Sequence, residues 1–281
     1  MNTVTQPQTN APDWTRGWRY ETIQLADGSE EIAHIPLTDE EILHPQEGYV
    51  IPESTYHTRT CDDLISMLRW RYAEQTDVAV FHDLVIEWDE AALKTHAPDV
   101  AIIPNVQDRD ADRGSFVVAE EETRPLLIIE VVSPKTRHND RVIKVEHYAQ
   151  AGVQEYLYID HWTSNGEEIW EIVGFRLAER QYVLLMLGED GAIYCQSVGL
   201  RIGIENGKVW IKDAKTGEAL LTNLAAHSAL RAIRAEKAQA ADEAEARRNA
   251  EAQTAAEAEA RRNAEARLAE VEAQLRALRG E

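Results

Sequence analysis

Apolar residues recur along this chain first at helical spacing and then in short strand-like runs. Between Cys61 and Glu74, Leu64, Ile65, Met67, Leu68 and Tyr72 fall mainly three and four apart, which predicts an amphipathic helix with Thr60 as its N-cap. Runs bounded by turn residues follow at 78–80, 84–88, 100–103 and 126–132, the last dense enough to predict a strand buried on both faces. Residues 141–151 read as a helix that Gly152 ends at the left-handed C-cap position, and 155–160 returns to strand. Strand, helix and strand in succession predict a sheet with a helix against it. Past Asp160, runs at 169–177, 182–187, 193–197 and 209–211, with a turn at 188–191, predict an antiparallel extension of that sheet. Before Pro52 the pattern predicts only one strand, at 18–25, among acidic and proline-containing segments.

From about Ala225 the chain becomes Ala, Glu, Arg and Gln, with neither proline nor glycine until Gly280, which predicts one long helix. At ~1.5 Å per residue it would reach roughly 80 Å. The segment AEARRNAEA occurs at 244–252 and again at 258–266, an offset of 14 residues, or two heptads, that keeps one face. A proper apolar seam, Leu268, Val271, Leu275 and Leu278, is confined to the end; upstream the seam is mostly alanine or charged. Two readings stay open: a coiled coil that forms a homodimer or docks a helical partner, and a lone solvated helix held by Glu and Arg pairs. The chain therefore divides into an N-terminal segment, 1–52, a domain at 53–224 and the helix at 225–281.

Composition narrows the class. A length of 281 residues with 44% hydrophobic content suffices for a real core plus an appendage. No apolar run approaches the ~20 residues a membrane span needs, and the start MNTVTQPQTNAPDW is neither basic nor apolar, which predicts a cytoplasmic protein. Cys61 and Cys195 stand far apart with no ligand at metal spacing, so they read as packing residues rather than a disulfide or a zinc site. The net charge of -21 repels polyanions. Of 29 Lys and Arg and 50 Asp and Glu, 10 and 11 lie at 231–281, leaving 19 and 39 in the body, which carries the acidity.

The chemistry centres on Glu130, a carboxylate inside the apolar run 126–132. Such a group must be protonated, paired or bound to a cation, because an unpartnered buried charge costs several kcal/mol. A buried ion pair or a strand-end side chain reaching water would also account for it. Asp99 follows Pro98 and opens the strand 100–103, where it could equally be a turn or cap residue. Lys144 shares a helix face with Asp140, His147, Tyr148 and Ala151, and the simple alternative for it is a surface pair with Asp140. Together, two carboxylates can hold a hard cation such as Mg²⁺, and a lysine can orient or deprotonate an attacking water. The backbone carbonyl of Val131 is a further oxygen ligand for such an ion. His57, His138 and His147 share no spacing with other metal ligands and read as surface or core side chains.

Pro98-Asp99, then Glu130-Val131-Val132-Ser133-Pro134, then Asp140, Lys144, Tyr148 and Gly152-Val153-Gln154-Glu155-Tyr156 with Asp160 resembles the Uma-two family of endonucleases in the PD-(D/E)XK restriction-endonuclease-like superfamily. The likeness covers about 97–160 well and 60–187 in the order of elements. It implies an α/β restriction-endonuclease-like fold, a mixed sheet flanked by helices, that hydrolyses phosphodiester bonds in DNA with Mg²⁺ or Mn²⁺. It also implies Asp99 and Glu130 as metal ligands and Lys144 as a catalytic lysine moved from strand to helix. Val132 occupies the usual lysine position, so Lys135 in the following turn is the substitute candidate. The family's N-terminal glutamate is loosely echoed by Glu47-Gly48. Tyr148 and Tyr156 look like packing positions, and Asp140 like a helix cap or a partner behind the ligands. Nucleases of this fold often cut as dimers, a pairing the tail could supply. The rival reading, favoured by the acidic body, is a nuclease-fold protein without catalysis that acts as an interaction or oligomerisation module through its tail.

Overall fold

In the computed structural model, which describes residues 14–279, the chain opens on a hairpin of β1 (Trp18–Gln24) and β2 (Glu30–Pro36). The alternation rule misses β2 because its Glu, Ile and His side chains are mostly exposed on both faces. A short helix, α1 (Asp39–Leu43), follows on a Thr38–Glu41 capping box. Helix α2 (Thr55–Arg71) starts earlier than its apolar spacing predicts. Ser54, not Thr60, caps it by accepting from the His57 N–H, and Thr60 lies buried inside the helix. Ser54→Ala is expected to cost about 1 kcal/mol in urea unfolding, the usual worth of such a cap.

The remaining elements of the first body are β3 (Ala79–Phe81), β4 (Val85–Glu87), β5 (Val100–Ile103), β6 (Ser115–Val117), α3 (Val118–Glu121) and β7 (Leu127–Val131). A π-helical turn at Asn139–Ile143 then runs into α4 (Lys144–Gln150), followed by β8 (Glu155–Ser164), β9 (Glu167–Ala178) and β10 (Gln181–Leu184). Three shorter strands complete it: β11 (Ala192–Cys195), β12 (Leu200–Glu205) and β13 (Lys208–Asp213).

Six strands form one mixed sheet in the order β10-β9-β8-β7-β5-β3, with β7 and β8 parallel and the other neighbours antiparallel. All five residues of β7 are buried, as the dense run predicts. Side chains alternate across a strand. Val100, Ile102, Leu127 and Ile129 therefore pack with Cys61, Leu64 and Leu68 of α2 on one face. Ala101, Ile103, Ile128 and Val132 pack with Tyr148, Ala151 and Val153 on the other. Gly152, at φ +76, ends α4 in the left-handed conformation, as predicted. The expected antiparallel extension holds only for β9 and β10. Strands β11 to β13 make their own sheet, whose Ile193, Leu200, Ile202 and Ile211 join the α2 core.

The first body runs through Asn223, the first residue of helix α5 (Asn223–Arg279), and the rest of that helix makes the second. From His227 to Arg276 every side chain of α5 is exposed, including Leu268, Val271 and Leu275. Arg247–Glu251 and Arg261–Glu265 pair one turn apart along it, at 2.9 and 3.0 Å. The side chain of Leu278 and residues 1–13 lie outside the described residues. Among those described, no helix is long and apolar enough to cross a membrane.

Candidate active site

Period two in β7 puts Glu130 on the same face as Ile128 and Val132, which is the face α4 covers. One helical turn separates Asp140, Lys144 and Tyr148, so all three reach the same spot from above. Lys144 Nζ lies 2.9 Å from Glu130 Oε1 and 2.8 Å from Asp140 Oδ1. The second contact is ionic rather than a well-aligned hydrogen bond. The Tyr148 hydroxyl donates to Glu130 Oε1 at 2.6 Å. Asp99, just ahead of β5, reaches the open edge of β7, and its Oδ2 accepts from the Val131 N–H at 2.6 Å. A strand residue's N–H and C=O project to the same edge, so the Val131 carbonyl also turns toward Asp99. The Asp99 N–H makes a long contact of 3.5 Å with Glu130 Oε2.

His57, in the first turns of α2, approaches Asp99 Oδ2 with Nε2 at 3.2 Å. Sequence reasoning missed this partner because the contact joins a helix start to a strand start across 42 residues with no periodic signal. Tyr148, expected at a packing position, also fixes the Glu130 carboxyl through its hydroxyl. Asp140 does not cap a helix; it sits within the π-helical turn, against Lys144. Lys135, the substitute lysine, is exposed and donates to the Pro52 carbonyl at 2.8 Å, away from Glu130. Glu47 lies on no helix but lines the same cavity, about 450 Å³, as His57, Asp99, Glu130, Asp140 and Lys144. A larger cavity of about 810 Å³ beside β9 contains none of these residues.

Burial lifts the Glu130 carboxyl to about 8; Lys144 pulls against that rise, and the charges of Asp99 and Asp140 add to it. Burial alone would also lower the Lys144 ammonium, but Asp140, Glu130 and Asp99 outweigh it and hold Lys144 charged. Burial would raise Asp99 as well, yet the His57 hydrogen bond, the His57 and Lys144 charges and the Val131 N–H keep it below the usual carboxylate range. Burial opposes charge on His57 too, and Asp99 overrides it to raise the imidazole to about 9.

Oδ1 of Asp99 and Oε2 of Glu130 are the oxygens not engaged by His57, Lys144 or Tyr148. Two carboxylate oxygens beside a carbonyl edge form an all-oxygen donor set that suits a hard divalent ion. A carboxyl raised to about 8 is one that such an ion would ionise. His57, Cys61 and Asp99 also offer ligand atoms within 4.8 Å of one another. Cys61 Sγ lies against Nδ1 of His57 and Asp99 Oδ2 against Nε2, so the two address different ring nitrogens. Burial pushes the Cys61 thiol far up, which removes the thiolate a soft ion would want.

Residues 30–217 match a family model described as "Uma2: Putative restriction endonuclease". A crystal structure of a "putative nuclease belonging to DUF820" from Anabaena variabilis ATCC 29413 is 12% identical, with a TM-score of 0.36 over 63% of this chain and 79% of that chain. No curated protein matches.

Proposed function

Because this chain belongs to the Uma2 family of putative restriction endonucleases, we propose that it is a metal-dependent endonuclease that hydrolyses phosphodiester bonds in DNA at Asp99, Glu130 and Lys144. The observation that carries this reading is the meeting of Asp99 and Lys144 at one buried carboxylate, Glu130. Asp99, Glu130 and the carbonyl of Val131 would hold Mg²⁺ or Mn²⁺. When bound, the ion supplies Lewis-acid polarisation of a phosphoryl oxygen and a more acidic water. His57 fixes the rotamer of Asp99, and Tyr148 that of Glu130. Lys144 stays protonated between Asp140 and Glu130, so it orients the attacking water and faces developing negative charge instead of taking a proton.

The test is plasmid cleavage with Mg²⁺ or Mn²⁺ by the wild type, Lys144→Ala and Lys135→Ala. Lys144→Ala is expected to lose about a hundredfold or more, within the range for removing one group that faces developing negative charge. Lys135→Ala should cut like the wild type. The acidic body favours a second reading, a catalytically silent interaction module. Equal cutting by wild type and Lys144→Ala, or none by either, would select it. Independently of turnover, calorimetric titration of Mn²⁺ into the wild type should give binding heat that Asp99→Asn largely abolishes; equal heats would remove Asp99 from the ion's shell.

A further inference from the structure

Nothing in the nuclease reading accounts for a helix whose side chains lie open to solvent from His227 to Arg276. The seam at its end sets a heptad frame, with Leu268 and Leu275 at a and Val271 at d. Carried toward the N-terminus by sevens, this frame puts Arg247 and Arg261 at a, and Glu236, Glu243 and Glu257 at d. In a parallel pair, a meets a and d meets d, so each of those five layers would set like charge against like. In an antiparallel pair, a meets d, and the outcome reverses.

We infer that α5 pairs with a second copy of itself as an antiparallel two-stranded coiled coil whose two-fold axis passes near Ala252. Each seam residue then faces the one equally far beyond Ala252 on the other chain. Arg247 faces Glu257 of the partner subunit, and Arg261 faces Glu243 of the partner subunit. Ile233 meets Val271 of the partner subunit, an apolar layer built from an otherwise isolated residue. Leu268 against Glu236 of the partner subunit is the single layer that sets a large apolar side chain against a charge.

Two features support this register independently. The 14-residue repeat places both Arg and both Glu at equal offsets, so one alignment satisfies them together. A shift of one heptad either way leaves at least one arginine with no acid across the seam. The axis also falls near the middle of Asn223–Arg279, so this alignment uses almost the whole helix. Seam charges choose orientation and register in coiled coils by this kind of matching. As a consequence, the two chains enter the rod at opposite ends, roughly 85 Å apart at ~1.5 Å per residue.

The test is disulfide formation in full-length protein carrying Ala240→Cys, Ala264→Cys or both, read on non-reducing gels with light scattering of the wild type. Ala240 and Ala264 stand equally far either side of Ala252, and roughly 36 Å of helix (~1.5 Å per residue) keeps them from bonding within one chain. The native Cys61 and Cys195 are buried, and the wild type serves as their control. A wild-type dimer by mass, with covalent dimer from the double variant and none from either single variant, is the expected result. Covalent dimer from a single variant would mean parallel pairing, and a monomeric wild type or an unlinked double variant would mean no such coil; each overturns the inference. None of these readouts depends on whether the chain cuts DNA.

Discussion

Glu130→Gln is expected to reduce plasmid cleavage by about a thousandfold or more while leaving the protein folded. Glutamine keeps the shape of the side chain and an oxygen for the Tyr148 hydroxyl, so the packing between β7 and α4 persists. Lys144 retains Asp140 as its anion. What is lost is the charge that would hold the ion; a contribution of several kcal/mol from the metal site corresponds to about three powers of ten in rate. A second readout separates lost binding from lost folding. Protonated Glu130 favours the fold below the ordinary carboxyl range, and that contribution fades as pH rises to about 8. At pH 8 and above, Mn²⁺ should therefore raise the melting temperature of the wild type by relieving an ionised buried carboxylate, and should do little for the variant. A variant that cuts at the wild-type rate, or gains as much thermal stability from Mn²⁺, would show that Glu130 holds no ion.

How far such a site can be read in advance depends on whether each contact has a local signature. Glu130 was legible because six apolar neighbours flank it in the run 126–132, and Lys144 because helical spacing ties it to Asp140 and Tyr148. The central sheet followed from the same apolar density. His57 was not legible, since its bond to Asp99 is made by the packing of α2 against the sheet and by no spacing along the chain. The start of α2 was misplaced for a related reason: Ser54 and Thr60 are both plausible caps, and only the buried face beginning at His57 decides between them. Strand β2 escaped notice because it is largely solvated, and β12 because Arg201 and Gly203 interrupt its apolar side chains. Asp160, where the run 155–160 ends, is fully buried between Arg137 and Arg141, whose guanidinium groups each approach it to 2.8 Å. Charge pairing of that kind depends on the turn after β7 folding back toward β8, which no single-sequence pattern records.

The largest stability effect outside the site is expected at Glu155, which heads β8 next to β7. Its carboxylate is buried and joins the six-stranded sheet to the three-stranded one. One oxygen accepts from Arg176 Nε at 2.8 Å and the Gln196 N–H at 3.0 Å. The other accepts from the Ser197 N–H at 2.9 Å and from the Ser197 hydroxyl. Gln196 and Ser197 form the connection between β11 and β12, so one side chain on the six-stranded sheet satisfies the turn of the three-stranded one. Hydrogen bonds to a charged acceptor contribute about 1.5–3 kcal/mol each, and a donor left unsatisfied costs about 1–3 kcal/mol. The turn can recover part of this loss from water because Gln196 is exposed. Glu155→Ala should therefore cost about 3 kcal/mol in urea unfolding, and Glu155→Gln less, because the amide oxygen still accepts. Lys94→Ala, which breaks an exposed pair with Glu40, should change stability by no more than ~0.5 kcal/mol. If the Glu155 and Lys94 substitutions proved equally mild, the carboxylate would not be what fastens the two sheets, and the Ile193, Leu200 and Ile211 contacts with α2 would have to hold them alone.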